Sequence, residues 1–142
     1  MGALWCGDGD SIKLWGADGY VLIITDQGKM GLNTLSPNST LHVVGSFSTN
    51  LVTKSTDYTV TDNDNIVLGD ASNASITFIL PSAVGRTGRR YVFVKIDGSN
   101  NSVTIDANGS ETINGNLTKV LVNRYDRVEL VSDGSGWIII GE

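Results

Sequence analysis

Cysteine occurs once in these 142 residues, at Cys6, histidine once, at His42, and proline only twice. A single cysteine excludes an intrachain disulfide framework and a multi-cysteine metal cluster. A single histidine excludes a multi-histidine zinc site. The longest apolar run, Tyr20 to Ile24, is far short of the roughly 20 residues that a membrane-crossing helix needs. Positive charge is also scarce, with 10 Lys and Arg against 15 Asp and Glu and a formal charge of −5. That balance argues against a nucleic-acid partner, which requires a dense basic footprint on one face. The start, MGALWCG, has neither a basic n-region nor an apolar h-region, and no Ser or Thr stands where a myristoylation signal needs one. The expectation is a chain made in the cytoplasm without Sec-type export, with no membrane insertion.

What the chain has instead is glycine, 17 residues of it, with Asp, Asn, Ser and Thr filling the gaps between short Val, Ile and Leu runs. Helix-favouring stretches are missing, and this is the composition of a many-turn β protein. The first thirty residues read as hairpin pieces: ALWC, SIKLWG and YVLIIT, separated by Gly-Asp-Gly-Asp and Ala-Asp-Gly turns. Strands so short must add to a larger sheet or to another chain. From Phe47 onward, candidate strands such as NIVLG, SITFILP, RYVFVKI, SVTIDA, DRVELVS and WIIIG recur at roughly ten-residue spacing, with DNDN, DGSNN, ANGS and DGSG between them. No period is strict enough to predict a solenoid. The fold expected is all-β, a short-stranded antiparallel β-sandwich or β-prism, with an N-terminal β arm over residues 1–45 and a C-terminal β domain over 46–142. In SITFILP the alternation puts Ile76, Phe78 and Leu80 on one side and Thr77 and Ile79 on the other. In DRVELVS, Val128 and Leu130 point inward and Glu129 outward. VFVKI and WIIIG carry too many apolar residues for a sheet with one wet face, so they mark a sandwich centre or a surface covered by oligomerisation.

Chemistry-bearing patterns are sparse. His42 lies on a short strand with no local carboxylate, and no G-x-S-x-G elbow or oriented base marks a nucleophile. Asp and Asn at 7–10, 62–65 and 106–111 offer oxygens of the kind calcium takes, but no EF-hand loop is complete, and Asx turns account for the same residues. Glu111, Glu129, Asp97, Asp106 and Asp126 show no spacing that predicts a glycosidase pair. No enzyme, metal or cofactor is therefore expected. Arg86, Arg89 and Arg90, with Arg124 and Arg127 flanking Tyr125 and Asp126, could bind an anionic sugar or a phosphate, but the preferred expectation is strand-end arginines that pair with carboxylates across a subunit seam. Trp5, Trp15 and Trp137 are aromatic anchors for packing or for an interface, and in the alternative reading they are sugar-stacking platforms. Five N-x-Ser/Thr patterns, at Asn38, Asn73, Asn100, Asn108 and Asn116, reflect only the Asn, Ser and Thr content.

The segment GKMGLNTLSPNSTLHVVG, Gly28 to Gly45, breaks at Pro37 and closes at Gly45, a hinge or turn that sets a chain direction without a core of its own. Extended to GKMGLNTLSPNSTLHVVGSFS, it resembles the Gly-Ile-Gly-Thr-x-x-Pro-x-x-x-Leu-x-Val-x-Gly segment of tail fibres and related structural proteins of tailed bacteriophages. The matching positions are Gly31, Leu32, Asn33, Thr34, Ser36, Pro37, Leu41, Val43 and Gly45, with Asn33 where glycine is usual. The run from Ile76 to Asn116, with the closing VELVSDGSGWIIIG, is similar to a β domain recurrent in phage fibre and virion proteins. The resemblance implies a non-enzymatic virion protein: a homotrimer serving as a small tail fibre or tip protein, or as a capsid decoration protein. Its partners would be its own copies and other virion proteins. Trp5, Trp15, Arg89, Arg90, Arg124 and Trp137 would be its interface or anchor candidates, and a host surface glycan a further partner. The alternative from another class is a carbohydrate-binding β module.

Overall fold

The computed structural model describes residues 4–7, 11–16 and 19–142, and it is built of strands with no helix among them. It divides into two compact units, Met1–Ser48 and Thr49–Glu142.

The first unit is one five-stranded sheet: β1 (Leu4–Gly7), β2 (Ser11–Gly16), β3 (Gly19–Ile24), β4 (Met30–Leu32) and β5 (Leu41–Val43), in that spatial order. The first four meander antiparallel, and β5 joins β4 in parallel. A tight turn makes the β3–β4 hairpin, where the Thr25 N–H donates to the Lys29 carbonyl and the Gly28 N–H to the Thr25 carbonyl, each at 2.9 Å. A parallel partner cannot be reached through a tight turn, so residues 33–40 cross over one face of the sheet. This is the physical content of the segment around Pro37. Asn33 opens the crossover at φ 58°, adopting the left-handed conformation that glycine otherwise supplies. The Asn33 side-chain amide then donates to the Val44 carbonyl at 3.2 Å. Gly31 lies beneath the loop, where a Cβ would stand 2.5 Å from the Thr34 carbonyl oxygen and 2.8 Å from Ile23 Cγ2. Within the crossover, Pro37 is buried. Gly45 leaves the sheet at φ 144°, a backbone that L side chains rarely adopt.

The second unit is a two-layer sandwich. One sheet has the order β14-β13-β10-β8-β6 and the other β12-β11-β9-β7. The strands are β6 (Leu51–Lys54), β7 (Tyr58–Thr59), β8 (Ile66–Gly69), β9 (Ile76–Ile79), β10 (Arg90–Lys95), β11 (Val103–Asp106), β12 (Thr118–Leu121), β13 (Arg127–Ser132) and β14 (Trp137–Gly141). From β6 to β11 the chain alternates between the sheets, and every same-sheet pair among these six strands is parallel. The path is thus three coils of a flattened roll, closed by β12, β13 and β14 in antiparallel pairs. The sheets are mixed, which corrects the expectation of an antiparallel sandwich. Turn-forming loops of a hairpin type also serve a coil that steps from sheet to sheet, so turn chemistry alone does not separate the two.

The alternation expected for β9 and β13 holds. Ile76, Phe78, Leu80, Val128 and Leu130 are buried, whereas Ile79 is 40% exposed. Seventeen buried residues from both sheets make one core. Through it runs a chain of ring contacts: Trp137 to Tyr91 at 5.4 Å, Tyr91 to Phe93 at 6.2 Å, Phe93 to Phe78 at 6.1 Å and Phe78 to Tyr58 at 6.4 Å. The Phe93–Phe78 contact joins β10 to β9 and so ties one layer to the other, each ring pair adding about 0.5–1.5 kcal/mol beyond burial.

Candidate assembly surface

The five-stranded sheet of the sandwich turns one face to the core and presents the other outward. Pleating aims Tyr91, Phe93 and Lys95 of β10 inward, so Arg90, Val92 and Val94 point away from the core. Strand register aligns the outward residues in rows: Leu51, Ile66 and Val92 in one, Leu68 beside Val94 in the next, and Val131 beside Ile138 in a third. Leu51 is 53% exposed and Ile140 46%. The charged members are the Arg90–Glu129 pair, in hydrogen-bond contact between neighbouring strands, and Arg127. The other sheet differs. Its outward rows hold Thr77, Thr104 and Val120, then Thr59, Ile79, Asp106 and Thr118, a largely hydroxyl-bearing surface that water solvates. The outward face of the five-stranded sheet is thus mostly apolar, with Thr53, Arg90, Glu129 and Arg127 as its polar members. Of the apolar runs VFVKI and WIIIG, Phe93 and Trp137 enter the sandwich centre, and Val92, Val94, Ile138 and Ile140 lie on its outside.

The arginines find partners within the chain. Arg86 holds Asp62 through Nε at 2.7 Å and Nη2 at 3.0 Å. Arg89 donates through Nη2 to the Asp62 carbonyl at 2.8 Å and to the Asp64 carbonyl, and its guanidinium lies 5.0 Å from the Tyr91 ring centroid. Arg124 donates through Nε to the Ile96 carbonyl at 3.1 Å and lies over the Tyr125 ring. Carboxylates of the same chain pair with Arg86 and Arg90. Trp137 has no exposed surface, so it is a core residue and neither an anchor for a partner nor a sugar platform. Trp5 and Trp15 lie on β1 and β2, but their side chains fall outside the described residues, as do Asp8 and Asp10 of the first Asp-rich turn.

Two buried networks escaped the sequence reading. Lys95 is fully buried and donates to Asp97 Oδ1 at 2.6 Å. The second oxygen of Asp97 accepts the Ala71 N–H at 2.7 Å, and Ser99 contributes both its N–H and its hydroxyl. Burial alone would push the Asp97 carboxyl up, but the Lys95 ammonium, the Ser99 hydroxyl and the two N–H donors outweigh it and hold the group well below the usual carboxylate range. At the DNDN turn, Asp64 Oδ2 accepts the Thr61 N–H at 2.8 Å, the Thr61 hydroxyl at 2.9 Å and the Tyr58 hydroxyl at 2.9 Å. There too burial acts upward and is overcome by these donors, so Asp64 is held low. These are structural carboxylates. Glu111 accepts from the Ser82 hydroxyl at 2.6 Å and from the Ala83 N–H at 2.8 Å. Asp126 and Asp133 each close a turn on backbone N–H groups, which hold both carboxyls low. His42 accepts the Asn38 N–H through Nδ1 at 3.4 Å, tying the strand to the crossover loop. Among the described residues no group of three His, Cys, Asp or Glu side chains converges as for a metal.

An open depression of about 410 Å³ lies at Lys119, Tyr125, Asp126, Arg127 and Glu142. Lys119 is paired there with Glu142. Tyr125, 65% exposed and at φ 70°, lines it, while Phe47, at 75%, is the more exposed aromatic side chain among the described residues.

No family model matches the chain, and a search of curated proteins finds no match.

Proposed function

We propose that this chain is a non-enzymatic structural protein of a bacteriophage particle, either a small tail fibre or tip protein or a capsid decoration protein, which self-associates as a homotrimer and attaches to other virion proteins. The observation that carries the self-associating part is the apolar outward face of the five-stranded sheet, set against the hydroxyl-rich face of its partner sheet. An outward face on which apolar residues outnumber the charged ones exposes a patch that soluble monomers keep small, and symmetric burial closes it without open-ended growth. The likeness of residues 28–45 to tail-fibre segments supports the kind of particle. The polar networks of Asp64 and Asp97 lend support to the non-enzymatic part, since each carboxylate is tied to donors of its own chain and held ionised. Such groups are neither free bases nor proton donors near neutral pH.

The particle assignment is tested by mass spectrometry of purified particles from the phage that carries the gene. The expected outcome is the chain present as a stoichiometric component, and its absence from intact particles would overturn the assignment. The carbohydrate reading is favoured by Tyr125 beside the open depression. Glycan titration of the intact protein against Tyr125→Ala tests it, with binding lost in the variant as the result that supports it.

A further inference from the structure

Among its described side chains, the N-terminal sheet has one apolar face that the 33–40 crossover does not cover. Register places Ile12, Ile24, Met30 and Leu41 in one row across β2, β3, β4 and β5, and Leu14, Leu22, Leu32 and Val43 in the next. Residues directly opposite in register, and those two apart along a strand, share a face, so all eight lie on the same side. Among the side chains described on these strands, none that is charged or polar joins them there. The opposite side carries Lys13, Ile23, Gly31 and His42. That is the side the 33–40 crossover packs on, through Thr34 against Gly31 and Ile23 and through Asn38 against His42. The loop therefore covers the mixed face and leaves the apolar one bare.

Exposure agrees with the register: Ile12 is 40% exposed, Leu14 and Met30 37%, and Leu41 52%. Among the described residues of this unit only Ile23 and Pro37 are buried apolar side chains, against seventeen in the sandwich core. A sheet with so little of its own to bury needs a second layer to stay folded in water.

We infer that this second layer is the same face of the neighbouring copies of the chain, so that the three N-terminal sheets of the assembly turn their apolar faces toward one another about a common axis. The inference rests on the self-association proposed above and assigns a contact to it. Two observations select a second copy over a different protein. A face without charge or hydrogen-bonding side chains resembles a domain core cut in half, the character of obligate interfaces between identical chains, whereas transient partners meet on more polar surfaces. The size also fits: four exposed and four partly exposed apolar side chains present on the order of 500 Å² per copy, so three copies turned inward remove about 1,500 Å² from water, within the range of a specific interface.

The test uses the full chain and Leu41→Lys, with Leu14→Lys as a second variant. Both side chains are already exposed in the single chain, so the fold of a lone copy tolerates the charge, while a buried seam does not. Light scattering across a dilution series is expected to show the midpoint of dissociation raised about tenfold or more in each variant. Hydrogen exchange should become faster in residues 20–32 and stay unchanged in residues 91–95 and 128–131, which reports that the sandwich remains folded. An assembled wild type whose variants assemble equally well overturns this contact and leaves self-association standing on another surface. A wild type that is monomeric throughout overturns both.

Discussion

At the scale of single residues, the fold depends on a few groups whose environments leave little latitude. Lys95 and Asp97 form a buried pair inside a donor network, so removing one partner strands the other charge. Asp97→Ala is expected to cost about 3–5 kcal/mol, measured by urea unfolding of the full chain with a probe in the sandwich. A loss below 1 kcal/mol would contradict the burial assigned here. Asp64 and Asp97 are both held low in the folded chain, which fixes the sign of the acid response. A carboxylate depressed on folding contributes stability fully above its unfolded value, near 3.9, and loses it as pH falls toward its folded value. The thermal midpoint should thus be flat from about pH 5 to 8 and fall below about pH 4. A profile unchanged to strongly acid pH would contradict it. Gly31→Ala puts a methyl 2.5 Å from a backbone oxygen, so the crossover must shift. The expected result is faster hydrogen exchange over residues 30–43, with the sandwich unaffected.

Strands and loops show how far a sequence without helix or disulfide can be read. The period-two pattern of Ile76, Phe78 and Leu80, and of Val128 and Leu130, was legible because one face of each strand is fully buried. Excess apolar content in VFVKI and WIIIG was legible for the same reason, since Val92, Val94, Ile138 and Ile140 occupy the outward positions of strands already apolar inside. The parallel coil was not legible. Register equates Leu51 with Ile66 and Ile66 with Val92, steps of 15 and 26 residues, so coils of one structural kind leave no repeat in the sequence. The inward aim of Lys95 was equally hidden, because one of its partners' anchors, Ala71, lies 26 residues from Asp97. The outward face of the five-stranded sheet gives a prediction at this scale. Ile138→Lys places a charge on an exposed position of edge strand β14, beside Val131. If that face is covered in the assembly, the variant should dissociate at higher protein concentration than wild type while its unfolding midpoint in the dissociated state stays within about 0.5 kcal/mol. Unchanged association would remove the face from the interface.

For the whole molecule, two units of very different internal content share one chain. The sandwich carries a seventeen-residue core and buried polar networks, and it has what an independent domain requires. The N-terminal sheet has one bare apolar face and two buried apolar side chains among its described residues, and it lacks a second layer of its own. In the proposed assembly, association would hide the remaining apolar surface of such a chain, and a closed symmetric arrangement would do so without propagating. The most direct test is the solution mass of the purified full chain by light scattering over a wide dilution series. The account predicts a constant mass of about 45 kDa, three times the 15.1 kDa of one chain. A constant 15.1 kDa at every concentration would contradict it.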